Sequence, residues 1–338
     1  MWTLRSTLQP IWGLAFLSLT LNTIFSQSSY AQNRASVVAS HSVLCDLTQQ
    51  IARETIDMTC LIEAGEDPHS YQPKPSDRQA IETAQLILYG GYDFETAIVR
   101  LIEATQNSAS KIAVSEEAVP NPIMGVHHHH EEEEHHHDEE EEHHHDEKEE
   151  MNADPHVWHN VSHTIAMVEV LRQHLSEISP ENASMYDRNA AALTEELEQL
   201  KTWIEAQIST IPENQRVVVT SHEALQYYGD AYGLEIEGVL ETFTTESQPS
   251  AARLRELVEE VKETGIPTIF VDTSTNPRLV ETLAREASVT ISPDNLYTDT
   301  LGSPGSPGET YQGMLKFNTC AIANGLGGNC TPFSPEQN

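Results

Sequence analysis

Along the chain, short β-branched and apolar runs alternate with stretches whose apolar positions recur every three or four residues. Runs at 37–40, 58–62, 86–89 and 111–114 have the length and composition of strands, and 46–54 and 76–84 follow helical periodicity. A second set at 216–220, 236–240, 268–272 and 289–291 repeats the alternation around helical stretches at 250–263 and 277–286. This alternation predicts parallel sheets covered by helices. The expected fold class is α/β, with two lobes that each carry a four-stranded, mostly parallel sheet. Between the two sets lies the longest helical pattern, from 180 to about 209. Met185, Ala192, Leu193, Leu197, Leu200 and Ile204 supply its apolar positions. Ser179 and Pro180 suit a helix start, and Pro212 stops the pattern. Such a helix is about 45 Å long, and it restricts the motion of what it joins in a way that a Gly/Ser linker does not. The predicted organisation is a first lobe over 32–179, a linker helix over 180–210 and a second lobe over 211–338.

The start of the chain reads as an address. Arg5 gives a positive beginning, 11–25 is mostly apolar, and Ser29 and Ala31 are the small residues that signal peptidase selects, so residues 1–31 are expected to be removed after Ala31. An apolar run of about 15 residues falls short of the roughly 20 that span a bilayer. Export brings the four cysteines into an oxidising compartment. Among three possible connectivities the local pairings Cys45 with Cys60 and Cys320 with Cys330 are preferred, and no Cys-x-x-Cys suggests a thiolate metal site.

Charge narrows the partners. The chain has 53 Asp and Glu against 18 Lys and Arg, a formal charge of −35, which argues against nucleic acid. Residues 127–150 hold 13 of those acids with one Lys, so the remaining 314 residues still hold 40 acids against 17 bases. The same block contains His127, His128, His129, His130, His135, His136, His137, His143, His144 and His145 and no hydrophobic residue. It reads as a solvated, disordered loop that binds metal weakly at several places. Its acids favour imidazolium, so protons compete with metal there and release is expected as the pH falls toward about 6.

Outside the loop, three histidines occupy contexts where α/β sheets collect ligands. His69 stands in Asp67-Pro68-His69, His156 in Asp154-Pro155-His156-Val157-Trp158, and His222 where the strand at 216–220 turns toward a helix. Proline restricts the approach to the first two and lowers their ordering cost on binding. Asp299, in the loop after the last strand, is the fourth candidate. Three imidazoles and a carboxylate suit zinc, with two ligands from each lobe. His41 is a candidate cleft residue, while His159, His163 and His174 read as capping or solvated helix positions. Glu66 and Glu223 adjoin ligand histidines and are candidate acceptors for their second N–H. Nothing in the sequence calls for an organic cofactor.

These motifs, together with Tyr71-x-Pro73-x-Pro75-Ser76-Asp77, Ser221-His222-x-Ala224 and Thr298-Asp299-Thr300 followed by Glu309-Thr310-Tyr311, resemble the metal-binding solute-binding proteins of ABC importers, the cluster A-I family. The similarity covers residues 36–328. It implies two lobes joined by one rigid helix, a periplasmic protein acting as a monomer with a membrane ABC permease, and metal ligands at His69, His156, His222 and Asp299. Histidine at position 222 and the His-rich insertion resemble the zinc branch, whereas 297–301 is at least as similar to manganese members. Capture of zinc for import is therefore the leading expectation, with manganese as the alternative. Two other readings are a periplasmic metal buffer centred on the loop and a metallohydrolase. The latter lacks a His-Glu-x-x-His helix and a base beside an open coordination position.

Overall fold

The computed structural model describes residues 2, 34–127, 150–240, 243, 245, 251–274 and 276–334. The expected signal peptide, apart from Trp2, and the loop histidines at 128–130, 135–137 and 143–145 lie outside the described residues. Arg34–Asn338 forms one compact unit. Its first half runs β1 (Ala35–His41), α1 (Ser42–Ala52), β2 (Ile56–Ile62), α2 (Pro75–Thr83), β3 (Leu86–Tyr89), α3 (Thr96–Ala104), β4 (Ser110–Ala113) and α4 (Val114–Ala118). The four strands are parallel in the order β2-β1-β3-β4. The chain leaves β1 in one direction for β2 and then crosses to β3 on the other side, so a switch point lies at the carboxyl ends of β1 and β3. His41 ends β1, and the loop after β2 carries His69.

An antiparallel hairpin follows, β5 (Met124–His127) with β6 (Glu150–Ala153). The sequence pattern did not predict it, because β5 is only four residues long and runs straight into the histidine tract. Asp154 and the 3-10 turn Val157–His159 lead from it into α5 (Val161–Ile178). A second 3-10 turn, Pro180–Asn182, then opens α6 (Ala183–Ile208), close to the helix expected there. Tyr186, Ala190, Leu193, Leu197, Leu200, Ile204 and Ile208 form its buried stripe. Ala192 is exposed, contrary to the sequence reading. The stripe follows Leu193 in steps of three and four, which takes it through Ala190 and leaves the neighbouring Ala192 about 100° away around the helix.

The second half comprises β7 (Val217–His222), α7 (Gln226–Tyr232), β8 (Glu235–Leu240), α8 (Ala251–Thr264), β9 (Thr268–Ile269), α9 (Arg278–Ala287), β10 (Thr290–Ile291) and α10 (Tyr311–Gly325). Its strands form two parallel pairs, β7 with β8 and β9 with β10. The Phe270 N–H donates to the Val219 carbonyl across the gap at 2.8 Å. β9 is only two residues long, so this bond comes from the residue after it and no ladder to β7 forms.

A single large core cluster runs from Val37, Leu44 and Trp158 through α5 and α6 to Tyr228, Phe270 and α10. Asp46 of α1 accepts the first N–H of α10, at Tyr311, at 2.8 Å. Disulfides join Cys45 of α1 to Cys60 of β2 and Cys320 of α10 to Cys330. No helix among the described residues is long and apolar enough to cross a membrane. Because α6 contributes to the core along its whole length, Leu197→Ala is expected to lower the unfolding free energy by about 2–5 kcal/mol. Ala192→Gln should change it by less than about 0.5 kcal/mol. Chemical denaturation of the two variants measures both, and equal effects would contradict this assignment of the buried face.

Candidate metal centre

Each Asp-Pro-His segment folds in the same local way. Proline has no N–H, so the Asp side chain turns back on the next available donor, the histidine backbone. Asp67 Oδ1 accepts from the His69 N–H at 3.0 Å, and Asp154 Oδ1 from the His156 N–H at 2.9 Å. The third histidine, His222, is the last residue of β7 and faces the same point from the second half. Asp299 arrives from the loop after β10.

The four side chains converge. His156 Nε2, His222 Nε2 and His69 Nε2 lie 3.0, 3.1 and 3.4 Å from Asp299 Oδ1. One ligand atom from each of the four residues lies within 4.8 Å of every other, and this is the only such group among the described residues. Four-coordinate tetrahedral zinc, with contacts of about 2.0–2.1 Å, would set neighbouring ligand atoms about 3.3 Å apart. The donor set and its spacing therefore fit a small divalent ion. The other carboxylate oxygen of Asp299 accepts from the hydroxyls of Ser274 and Thr298, which leaves Oδ1 to face the imidazoles.

Of the three converging histidines, the two that are fully buried are also fixed from behind. His156 Nδ1 lies 2.8 Å from Asp154 Oδ1, and His222 Nδ1 lies 2.8 Å from Asp272 Oδ2. These carboxylates select the tautomer that leaves Nε2 available to a metal. Glu66 does not take the outer role expected of it, for it pairs with Lys74. The Nδ1 of His222 meets Asp272 rather than Glu223. Neither Asp154 nor Asp272 was picked out from the sequence. Asp154 had a readable signal in the repeated Asp-Pro-His, whereas Asp272 stands fifty residues from His222 at the end of an apolar run.

Phe94 forms the wall of the site. Its ring meets His69 edge-on at 4.9 Å and His41 at 5.1 Å. The loop that aims it has three consecutive residues with positive φ, Gly91, Tyr92 and Asp93, of which only the first is a glycine. Such backbone persists where the surroundings hold it, and here Glu116 accepts the Tyr92 N–H at 2.9 Å. His41 is buried against Phe94 and Trp158 and is not among the converging residues. Of the other histidines, only His159 departs from its expected helix-end or solvated role. His159 is buried and donates to the Thr298 carbonyl, while Asn160 caps α5 in its place. His163 stands edge-on to Tyr227. His174 lies on α5, where it pairs with the exposed Glu117 and Glu177.

Burial alone would push every one of these imidazoles toward the neutral form. At His222 that effect is outweighed by Asp299 and Asp272, which hold its pKa well above the ordinary value of 6.5, and at His156 by Asp154 and Asp299, which raise it. At His69 burial wins despite Asp299, and the pKa falls. For Asp299 burial opposes ionisation, but His222, His156 and His69 hold the carboxyl well below the usual carboxylate range.

The comparisons with known proteins agree on the kind of molecule. Residues 37–325 match the family model described as zinc-uptake complex component A, periplasmic. The manganese-binding lipoprotein MntA of Halalkalibacterium halodurans is 33% identical over 290 residues, covering 86% of this chain and 88% of that protein. Among solved structures, the periplasmic zinc binding protein TroA from Treponema pallidum is 26% identical with a TM-score of 0.75, covering 87% of this chain and 99% of that one. A Mn-bound periplasmic metal binding protein from candidatus Liberibacter asiaticus is 25% identical with a TM-score of 0.71, covering 87% and 100%.

Protonation of His156 and His222 above the ordinary pKa stabilises the metal-free fold below about pH 6.5 and is lost as pH rises through their raised values. An ion that takes their place must displace those protons. The rise in Tm produced by a fixed zinc concentration should accordingly shrink as pH falls from about 8 to about 5. Differential scanning fluorimetry with and without metal reads this, and a rise independent of pH would contradict the assignment.

Proposed function

The chain belongs to the family of the periplasmic zinc-uptake complex component A, and on that premise we propose that it is the metal-binding component of an ABC importer, selective for zinc. It is exported, acts outside the cytoplasm as a monomer, and hands its ion to a membrane permease without transforming it. His69, His156, His222 and Asp299 are the ligands. The observation that carries this reading is the convergence of three imidazole nitrogens on one carboxylate oxygen at 3.0–3.4 Å, a closed set of four with no position held back for a substrate. Three nitrogens and one oxygen favour zinc over calcium or magnesium, which take oxygen ligands. A manganese reading has its own support in the names of relatives such as MntA.

The two halves of the chain act as lobes about α6, and the ion enters between them. Two ligands come from the first half and two from the second, so metal binding ties the halves together. The His-rich loop is an accessory collector that raises the local zinc concentration. β6 runs from the root of the loop at Glu150 to Ala153, directly before Asp154, the partner of His156, so one short strand connects the collector to the centre.

Chelator competition tests the reading on the full chain and on a chain in which residues 128–149 are replaced by Asn-Gly, a turn suited to the paired ends of β5 and β6. One tight zinc equivalent that manganese does not displace is expected in both proteins, with additional weak equivalents only in the full chain. Tight retention of manganese would contradict zinc selectivity. Loss of the tight equivalent on shortening the loop, or its absence from both, would contradict the four-ligand centre.

A further inference from the structure

Asp299 belongs to the second half of the chain, yet the backbone on both sides of it is held by the first. On one side the Thr298 carbonyl accepts two hydrogen bonds, from His159 Nε2 at 2.8 Å and from Trp158 Nε1 at 3.3 Å. On the other the Thr300 hydroxyl accepts from the Gly65 N–H at 2.9 Å and lies 3.1 Å from Ser42 Oγ. Ser42 Oγ also accepts the Leu301 N–H at 3.0 Å. Trp158 is fixed in turn, since its own carbonyl accepts from the hydroxyls of Tyr311 at 2.7 Å and Thr164 at 3.1 Å.

His159 is fully buried, and so is Thr298. A nitrogen facing a carbonyl must carry the proton, so the tautomer is set with Nε2–H as donor. His159 Nδ1 has no hydrogen-bond partner among the described residues. The imidazole is thus neither a metal ligand nor a helix cap, and its single N–H is directed at the residue before Asp299. No water reaches Thr298 to replace that bond, so losing it would leave a buried carbonyl with a weaker set of donors.

We infer that His159 is a positioning residue for metal binding: with Trp158 it holds the Thr298 carbonyl on the first half and so presents Asp299 Oδ1 to His69 and His156. The inference rests on the metal-centre reading above. It makes His69, His156 and Asp299 one preassembled set, with His222 on β7 as the ligand that completes it. A residue that only fills space would affect folding without acting through Asp299.

A double-mutant cycle on the full chain separates the two roles, with zinc affinity read by chelator competition. His159→Leu is expected to weaken the tight site about 10–100-fold. His159→Gln, whose amide can donate to the same carbonyl, should recover most of the loss. In an Asp299→Ala background His159→Leu should cost nothing further. The same loss with and without Asp299, or wild-type affinity in His159→Leu, would overturn the inference. Should His159→Leu fail to fold, Trp158→Phe, which removes the indole N–H donor and leaves a smaller aromatic ring, serves in the same cycle, where again only a loss that disappears in the Asp299→Ala background supports the inference. A wild-type chain with no tight zinc equivalent would overturn the metal centre itself, and that result is distinct because it appears before any variant is compared.

Discussion

Asp299 is a carboxylate taken wholly out of water, and the structure around it answers that constraint. A buried anion is costly unless charge and hydrogen bonds replace its hydration. Here one oxygen faces three imidazole nitrogens and the other accepts two hydroxyls. The imidazoles have the same problem in reverse, and Asp154 and Asp272 behind His156 and His222 answer it. In the metal-free state the buried carboxylates favour the protonated forms of His156 and His222 and so offset part of their own burial cost. One divalent ion carries the charge of those two protons, so exchanging two protons for the ion leaves the buried charge unchanged. The four converging ligand atoms suit a dication.

The fold puts these groups within reach of one another through ordinary α/β geometry. Parallel strands deliver their following loops to one edge of a sheet, and both halves of the chain use that edge. His69 follows β2 and Phe94 follows β3, while His222 ends β7 and Asp272 follows β9. The continuous core through α5, α6 and α10 sets the distance between the two edges. What the sheets leave undetermined is the orientation of the 298–300 backbone. That is fixed by hydrogen bonds from Trp158, His159, Ser42 and Gly65, which lie far from it in sequence.

Much of this was legible in the chain. The β-branched runs placed seven of the eight core strands to within two residues, because a buried parallel strand needs nearly continuous apolar residues. The eighth, β9, keeps only the first two of the five residues expected to pair. The four converging residues could be read from Asp-Pro-His, from a histidine at a strand end and from an aspartate in the final loop, since each signal is local. Asp272, Ser274 and Phe94 could not be read, because their roles arise only when loops distant in sequence meet. His159 was misread for the same reason. A histidine ahead of a helix looks like a cap until the Thr298 carbonyl is seen beside it.

The central claim is that a single divalent ion sits among His69, His156, His222 and Asp299. Anomalous diffraction at the zinc absorption edge, from crystals of the zinc-loaded full chain, tests it most directly. One strong peak within about 2.0–2.1 Å of the three Nε2 atoms and within about 2.0–2.2 Å of an Asp299 carboxylate oxygen is the expected result. A principal peak elsewhere, or coordination that omits Asp299 or any of the three imidazoles, would contradict it.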